Sequence, residues 1–340
     1  MLNKLLTTLA LAGAALAGPI EFGRAELDRA IAARRLNPRL FQIKTEVAID
    51  PPESYRITPG VVTGGDLRGL MYGLLEAADQ VRRTGRLQKT EAAPGMTIRG
   101  VRVVIQDFAG DLEWFHDRER WPLLFQTLAL DRFNRFQLAV PDLAGLVSVP
   151  EFPQVAPIAG AERNLEALRF ISDTAAEYGS DFVLGVWMPH STDGVYIYAA
   201  LVKVLASCPG IRGVQLRMDP DLAADAIRAV QEAGRRVTIE VQPYAQSVAG
   251  PAASAGLPIR YAAPYPAGTR PAKGAPFFFE VAAPATGSAD ELTRLVTKLA
   301  GAGASGFEAD LAPAALAKAP DRAAAYLLLG RLAYDVAEPR

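Results

Sequence analysis

The chain has 340 residues, half of them apolar, and a formal net charge of −1, which suits one large barrel or two domains. The near-neutral charge argues against a nucleic-acid partner or an anionic membrane surface, because both require a basic face. With one cysteine and two histidines, the chain has neither an internal disulfide nor the ligands of a His/Cys zinc site, and we expect no metal or other cofactor.

The chain begins with the pattern of a secretory signal peptide. Lys4 provides a positive charge, and residues 5–14 are apolar but too few to span a membrane as a helix of the mature protein. Residues 15–17 read Ala-Leu-Ala, an A-x-A cleavage site. We therefore expect residues 1–17 to be removed and the mature protein to be periplasmic or extracellular, with no membrane partner. A retained N-terminal anchor is the alternative.

Residues 20–90 predict a small α+β domain that ends in a polar linker. Its clearest part is a pair of short strands joined by a turn at Pro59-Gly60, followed by Gly64-Gly65-Asp66 and an amphipathic helix. The aspartate is placed to cap that helix by accepting a hydrogen bond from a first-turn N–H. Gly64-Gly65-Asp66 is too short a glycine pattern for a dinucleotide site.

From residue 97 onward, strand and helix patterns alternate. The eight predicted strands span residues 98–106, 136–140, 182–188, 211–218, 237–242, 259–263, 277–282 and 306–311. Helical patterns separate most of them, the first at residues 112–133, and the connections after strands five and six are weaker. Eight alternations match a (β/α)8 barrel, which takes about 250 residues. A doubly wound open sheet is the alternative, but no Gly-x-Gly-x-x-Gly follows the first strand. We therefore predict the α/β class, with a TIM-type (β/α)8 barrel at residues 97–340 behind the small α+β domain.

The predicted strands carry polar residues on one face, near the C-terminal ends where such barrels place their active sites. Glu240 of strand five and Glu308 of strand eight lie on different sides of the expected mouth. Further polar or aromatic residues at the strand ends are predicted to bind substrate: Asp107, Trp187, His190, Arg217, Asp219, Gln242, Tyr244, Glu280 and Asp310. The alternative is a structural ion-pair network inside the barrel, such as Arg217 paired with Glu240 or Glu308.

Two carboxylates across a cleft are what glycoside hydrolysis requires. One protonates the leaving oxygen, and the other acts as nucleophile or base. Spacing favours Glu240 and Glu308 for these roles, and the rings of Trp187 and Tyr244 are suited to stacking on a sugar. The distance between the carboxylates does not follow from the sequence, so retention and inversion both stay open.

The segment from Glu53 to Glu76 resembles the non-catalytic N-terminal domain of glycoside hydrolases of families 20 and 67, the β-hexosaminidases and α-glucuronidases. In those enzymes a small α+β domain precedes a (β/α)8 barrel, and residues 99–102, Arg-Gly-Val-Arg, resemble the start of its first strand. The resemblance implies a carbohydrate ligand. Family 20 enzymes carry an Asp-Glu pair at the end of barrel strand four, whereas residues 215–219 read Gln-Leu-Arg-Met-Asp here, without a glutamate.

The sequence therefore predicts an exported glycoside-hydrolase-like protein that acts on a glycan or glycoside, with Glu240 and Glu308 in the catalytic roles. A non-catalytic carbohydrate-binding or scaffold protein on a degenerate barrel is the alternative, and the missing glutamate near Asp219 favours it. A barrel lyase or isomerase would need a metal or phosphate site, for which the sequence has no clear motif. The sugar, the linkage and the oligomeric state stay open.

Overall fold

A computed structural model describes residues 18–108, 110, 112–187, 193–242, 246–265, 275–282, 287–312 and 325–336 of the chain. The described residues form a small four-stranded sheet with two helices, followed by a closed barrel of parallel strands. The predicted fold class, an α/β barrel behind a small α+β domain, is therefore confirmed. Among these residues, no helix has the length and apolarity needed to cross a bilayer.

The small domain packs two helices on one sheet. The helices are α1 (Pro19–Ala33) and α2 (Leu67–Thr84), and the strands are β1 (Lys44–Val47), β2 (Tyr55–Thr58), β3 (Val61–Gly64) and β4 (Thr90–Ala92). The strand order is β1-β3-β2-β4, with β1 parallel to β3 and the other pairs antiparallel. The turn at Pro59-Gly60 joins β2 to β3 as predicted, and Gly60 adopts a φ of 79°, which suits a residue without a Cβ.

Helix α2 begins at its predicted cap. Asp66 Oδ1 accepts a hydrogen bond from the N–H of Gly69 over 2.7 Å, and the helix ends at Gly85 in the left-handed conformation. Gly65 permits the sharp approach to this cap, because a Cβ there would lie 2.1 Å from the carbonyl oxygen of Pro51. The Gly-Gly-Asp turn is therefore a helix start inside the small domain.

The barrel consists of eight described strands that pair in chain order. They are β5 (Ile98–Val104), β6 (Arg135–Val140), β7 (Asp181–Trp187), β8 (Ile211–Arg217), β9 (Thr238–Val241), β10 (Ile259–Pro264), β11 (Phe277–Ala282) and β12 (Gly306–Leu311). All pairs are parallel, and β12 pairs with β5 to close the barrel. Each observed strand overlaps its predicted counterpart.

The described helices of the barrel are α3 (Glu113–His116), α4 (Arg120–Leu130), α5 (Ala161–Glu177), α6 (Gly194–Ser207), α7 (Pro220–Glu232), α8 (Gln246–Ser254), α9 (Ala289–Gly301) and α10 (Ala325–Asp335). The single helix predicted at residues 112–133 is wrong, since the structure has two. Asp117 between them has an extended backbone, with ψ of 94°. Pro122 lacks an N–H, so a helix tolerates it in the first turn, and α4 accordingly starts just before it.

A buried charged cluster fastens the small domain to the barrel. Glu53 accepts hydrogen bonds from Arg68 of α2 over 2.5 Å, from Asn134 over 2.8 Å, and from Arg99 of β5. The Tyr334 hydroxyl of α10 donates to the backbone carbonyl of Glu53 over 2.8 Å. Burial would raise the pKa of Glu53, but the two guanidinium groups outweigh it and lower this pKa to about 2. Glu53 is thus ionised in its buried position.

Candidate ligand site at the barrel mouth

Polar side chains fill much of the barrel interior. At one end of the interior lies a small apolar cluster of Ile98, Ala262 and Phe278. Beyond it lies a deep polar cluster, which we define as Arg135, Gln137, Gln215, Glu240 and Glu308. A mouth cluster follows towards the C-terminal ends of the strands and comprises Arg102, Trp187, Arg217, Glu280 and Asp310. Alternation explains this arrangement, because every second residue of a strand faces the interior.

Arg135 is the centre of the deep cluster. Its Nη1 and Nη2 donate to the two oxygens of Glu240, each over 2.5 Å, and its Nε donates to Glu308 Oε1 over 2.8 Å. Both glutamates are completely buried. Gly100 leaves room for this guanidinium arm, because a Cβ there would lie 3.0 Å from Arg135 Cδ. Burial alone would lower the pKa of Arg135, but the two carboxylates raise it instead. The two predicted catalytic residues, Glu240 and Glu308, therefore both bind the guanidinium of Arg135 below the mouth.

Glu308 differs from Glu240 in its second oxygen. Within the described part of the chain, Glu308 Oε2 has no hydrogen-bond partner, although Arg102 Nη1 lies 3.7 Å away. Burial raises the pKa of Glu308 to about 7, against the opposing effect of Arg135 and Arg102, and the charges of Glu240 and Glu280 add to the rise. Glu308 is thus a buried carboxyl that exchanges a proton near neutral pH.

Arg102 organises the mouth cluster. Its Nε donates to Asp310 Oδ1 over 2.7 Å, and its Nη1 donates to Glu280 Oε1 over 2.5 Å. Arg217 Nη2 donates to the same oxygen of Glu280. Glu280 is buried, whereas about half of the Asp310 side chain is exposed. Asp310 is therefore the carboxylate of this cluster that is most open to a ligand.

Trp187 connects the two clusters. Its indole N–H donates to Gln215 Oε1 over 3.0 Å, and Gln215 in turn accepts from Gln137 over 2.9 Å. The guanidinium carbon of Arg217 lies 3.7 Å from the centre of the indole ring, and that of Arg102 lies 5.1 Å away. These are cation–π contacts. A sugar can stack only on the part of the ring surface that these two arginines leave free.

A cavity of about 500 Å³ opens above the mouth cluster. Its lining residues come from five strands and the segments just beyond them: Arg102, Val104, Gln106, Trp187, Arg217, Ala282, Asp310, Leu311 and Ala312. This volume is in the range of small-ligand sites, roughly 300–1,000 Å³. The described residues contain no group of three or more histidine, cysteine, aspartate or glutamate side chains placed to hold a metal ion.

The remaining predicted site residues lie elsewhere. Gln242 is buried just beyond β9, and Asp107 is exposed just beyond β5. Asp219 caps α7 by accepting a hydrogen bond from the N–H of Asp221 over 3.0 Å. His190 and Tyr244 lie outside the described residues.

The predicted internal ion-pair network exists, but with other partners. Arg217 pairs with Glu280 rather than with Glu240 or Glu308. Four further residues of this interior, which were not among the predicted site residues, are Arg102, Arg135, Gln137 and Arg260, and Arg260 lies 3.2 Å from Glu240. The alternation of inward and outward side chains along β5 and β6 would have indicated three of them, Arg102, Arg135 and Gln137. Arg135 was not recognised, because the second predicted strand began at residue 136, one residue after the observed start of β6.

The barrel fold is shared with a glycoside hydrolase of known structure. No protein-family model matches the chain, and no curated protein does. Among solved structures, the chain is similar to one described as a "GH138 enzyme targeting pectin rhamnogalacturonan II", with a TM-score of 0.74 and 16% sequence identity. The match covers 92% of this chain and 49% of that protein, so this chain spans about half of its length. At this identity the likeness establishes the fold, and the resemblance to families 20 and 67 stays a prediction.

Proposed function

We propose that this chain is an exported glycoside-hydrolase-like protein that binds a glycan or glycoside at the barrel mouth. The observation that carries the proposal is the mouth cavity, where guanidinium donors and the exposed carboxylate of Asp310 surround part of an indole ring. Such groups match the hydroxyls and the apolar faces of a sugar. The glycoside hydrolase with the same fold, whose description names pectin rhamnogalacturonan II, supports this ligand class.

The charges of the mouth cluster favour a polar ligand of low net charge. Two arginines, Arg102 and Arg217, face two carboxylates, Glu280 and Asp310, so the cluster is balanced. A strongly anionic ligand would meet the repulsion of both carboxylates, and a cation would meet that of both guanidinium groups. Uncharged hydroxyls are able to hydrogen-bond to either kind of group.

Binding without cleavage is the form of the proposal that the geometry supports most directly. A catalytic carboxyl must lie within hydrogen-bond reach of the glycosidic oxygen or the anomeric carbon. Glu240 and Glu308 are completely buried, and both bind Arg135 below the mouth. Their assignment as acid and base or nucleophile stays a prediction.

Hydrolysis is the second candidate, and the chemistry of Glu308 favours it. A carboxyl whose pKa is raised to about 7 is partly protonated at neutral pH, as a general acid needs to be. If the protein cleaves glycosides through the predicted pair, Glu240→Gln and Glu308→Gln should each lower the turnover number by about 100-fold or more. Full activity of both variants on every substrate would exclude these two residues.

The test of glycan binding uses the full chain and a glycan microarray of neutral and charged oligosaccharides, followed by calorimetry with the glycans that bind. Asp310→Ala removes the exposed acceptor and should weaken binding about tenfold or more, as expected for hydrogen bonds to a charged group. Arg169→Gln, on the exposed face of α5, is the matched control. Failure to bind any glycan, or equal affinity of Asp310→Ala and wild type, would overturn the proposal.

Export has its own test. The full chain is expressed in a Gram-negative host, and the periplasmic and culture fractions are collected. The proposal predicts a protein in these fractions whose first residue is Gly18. A cytoplasmic protein that keeps Met1 would refute it, and a membrane-bound product of full length would favour the retained anchor.

A further inference from the structure

One oxygen atom of the barrel interior is buried without a hydrogen-bond partner among the described residues. This atom is Glu308 Oε2, on a side chain with no exposed surface. Buried carboxylate oxygens normally accept hydrogen bonds, because leaving one unpaired costs about 1–3 kcal/mol or more. The other oxygen of the same group is bound to Arg135 over 2.8 Å. Glu308 is therefore only half satisfied as an anion.

Five charged groups interact with Glu308, each from a different strand, and the most distant is Arg217 of β8. Arg135 of β6 binds its Oε1, and Arg102 of β5 lies 3.7 Å from its Oε2. The carboxylates of Glu240 on β9 and Glu280 on β11 oppose its ionisation by their negative charge. The three arginines favour the ionised form, whereas burial and the two glutamates favour the protonated form. The surroundings of Glu308 thus favour neither its ionised nor its protonated form strongly.

Arg102 lies between Glu308 and the mouth. The same nitrogen, Nη1, is 2.5 Å from Glu280 Oε1 and 3.7 Å from Glu308 Oε2. Arg102 also holds Asp310, the exposed carboxylate of the mouth, through its Nε. When Glu308 is ionised, its charge attracts this guanidinium inward; when Glu308 is protonated, only the outer carboxylates attract it.

We propose that Glu308 is a positioning residue, whose proton, exchanged with solvent, sets how tightly Arg102 holds the mouth carboxylates Glu280 and Asp310. The inference rests on the proposed function only in that the ligand affected is a glycan. Glu308 acts through Arg102 and needs no contact with the ligand. Loss of the proton draws Arg102 towards Glu308, and Asp310 is then freer to accept hydrogen bonds from ligand hydroxyls. Ligand affinity should therefore rise with pH.

The indole of Trp187 reports on this arrangement, because both mouth arginines contact its ring. The experiment is a fluorescence titration of the ligand-free full chain between about pH 5 and 9, bracketing the Glu308 transition. The signal of Trp187→Phe is subtracted to remove the contributions of Trp114 and Trp121. Wild type should show one transition near pH 7, and Glu308→Gln should abolish it. A transition that persists unchanged in Glu308→Gln, or is absent from wild type, would overturn the proposal.

Glu240→Gln is the matched control. Glu240 is as buried as Glu308 and binds the same arginine, Arg135. Arg102, in contrast, pairs with Glu280 and Asp310 and lies 3.7 Å from Glu308. This variant should keep the transition and move it to lower pH, because it removes a negative charge that raises the pKa of Glu308. Loss of the transition in Glu240→Gln alone would contradict the assignment to Glu308.

Carbon-13 NMR of the glutamate carboxyls in wild type provides a measurement that needs no folded variant. One glutamate resonance should titrate near pH 7, and the absence of such a resonance would overturn the proposal. With a glycan that binds, affinity should increase across the same transition in wild type and stay constant in Glu308→Gln. A protein that binds no glycan but keeps the transition would refute the proposed function and leave the role of Glu308 intact.

Discussion

At the centre of the barrel, Arg135 neutralises two completely buried glutamates. Arg135→Met should therefore lower the free energy of unfolding by about 3–5 kcal/mol, because it removes the main cationic partner of both Glu240 and Glu308 and leaves only Arg260 at Glu240 and the more distant Arg102 near Glu308. Urea denaturation at neutral pH measures this. The control is Arg169→Met, which removes an exposed pair with Asp173 and should change stability by about 1 kcal/mol or less. Similar losses in both variants would contradict the structural role of the deep cluster.

At this scale, the sequence predicted which residues face the interior but not which residues pair. Alternation places Gln215, Glu240 and Glu308 on the inner face, as observed. Pairing depends on how far each side chain reaches across the barrel and on its height along the axis. These quantities arise from strand tilt and register, so the sequence did not indicate that Arg217 pairs with Glu280.

Among the elements, helix α2 begins at a side-chain cap, Asp66. Asp66→Ala should destabilise the protein by about 0.5–2 kcal/mol, because it leaves the N–H of Gly69 without its acceptor at the helix start. Asp66→Asn keeps an acceptor oxygen and should retain most of the stability. Thermal unfolding of the two variants and wild type distinguishes these outcomes. Equal losses in both variants would show that the charge matters and not the cap.

Most helix and strand positions followed from periodicity, but helix α8 and strand β4 were not predicted, and one predicted helix is divided for a local reason. The pattern at residues 112–133 is apolar enough for one helix, yet the structure divides it at Asp117. Apolar spacing reports which residues are buried and does not report a break between two helices that bury the same side. Pro122 was the available signal, because proline is best tolerated in the first turn of a helix.

For the whole molecule, the Glu53 cluster makes the attachment of the small domain sensitive to acid. The pKa of Glu53 is about 2 in the folded protein and about 4.3 in an unfolded chain. Since the folded value is the lower one, ionised Glu53 stabilises the fold above about pH 4.3, and this contribution is lost as pH falls towards 2. It amounts to about 3 kcal/mol at most.

Glu53→Gln tests this dependence. The variant should be less stable than wild type at pH 7, and the difference should shrink as the pH falls below about 4.3. Urea denaturation over this pH range measures it. A difference that is constant with pH would contradict the role of the Glu53 charge.

The barrel was predictable from the whole sequence because eight apolar segments recur at regular intervals. The cluster that attaches the small domain was not. It joins Glu53 to Arg99, Asn134 and Tyr334, which are distant in the chain, and no local pattern encodes such contacts. The resemblance to glycoside hydrolases indicated the order of the two parts but not the contacts between them.

Glycan binding at the barrel mouth is tested most directly by the indole N–H resonances of the three tryptophans. Trp187 lines the mouth cavity, whereas Trp121 is buried with its indole N–H bound to Phe115 and Trp114 packs beside it. On addition of an oligosaccharide selected by the microarray, we expect the Trp187 resonance to shift until binding saturates, while those of Trp114 and Trp121 stay in place. Shifts confined to Trp114 or Trp121, or no shift with any glycan, would contradict binding at the mouth.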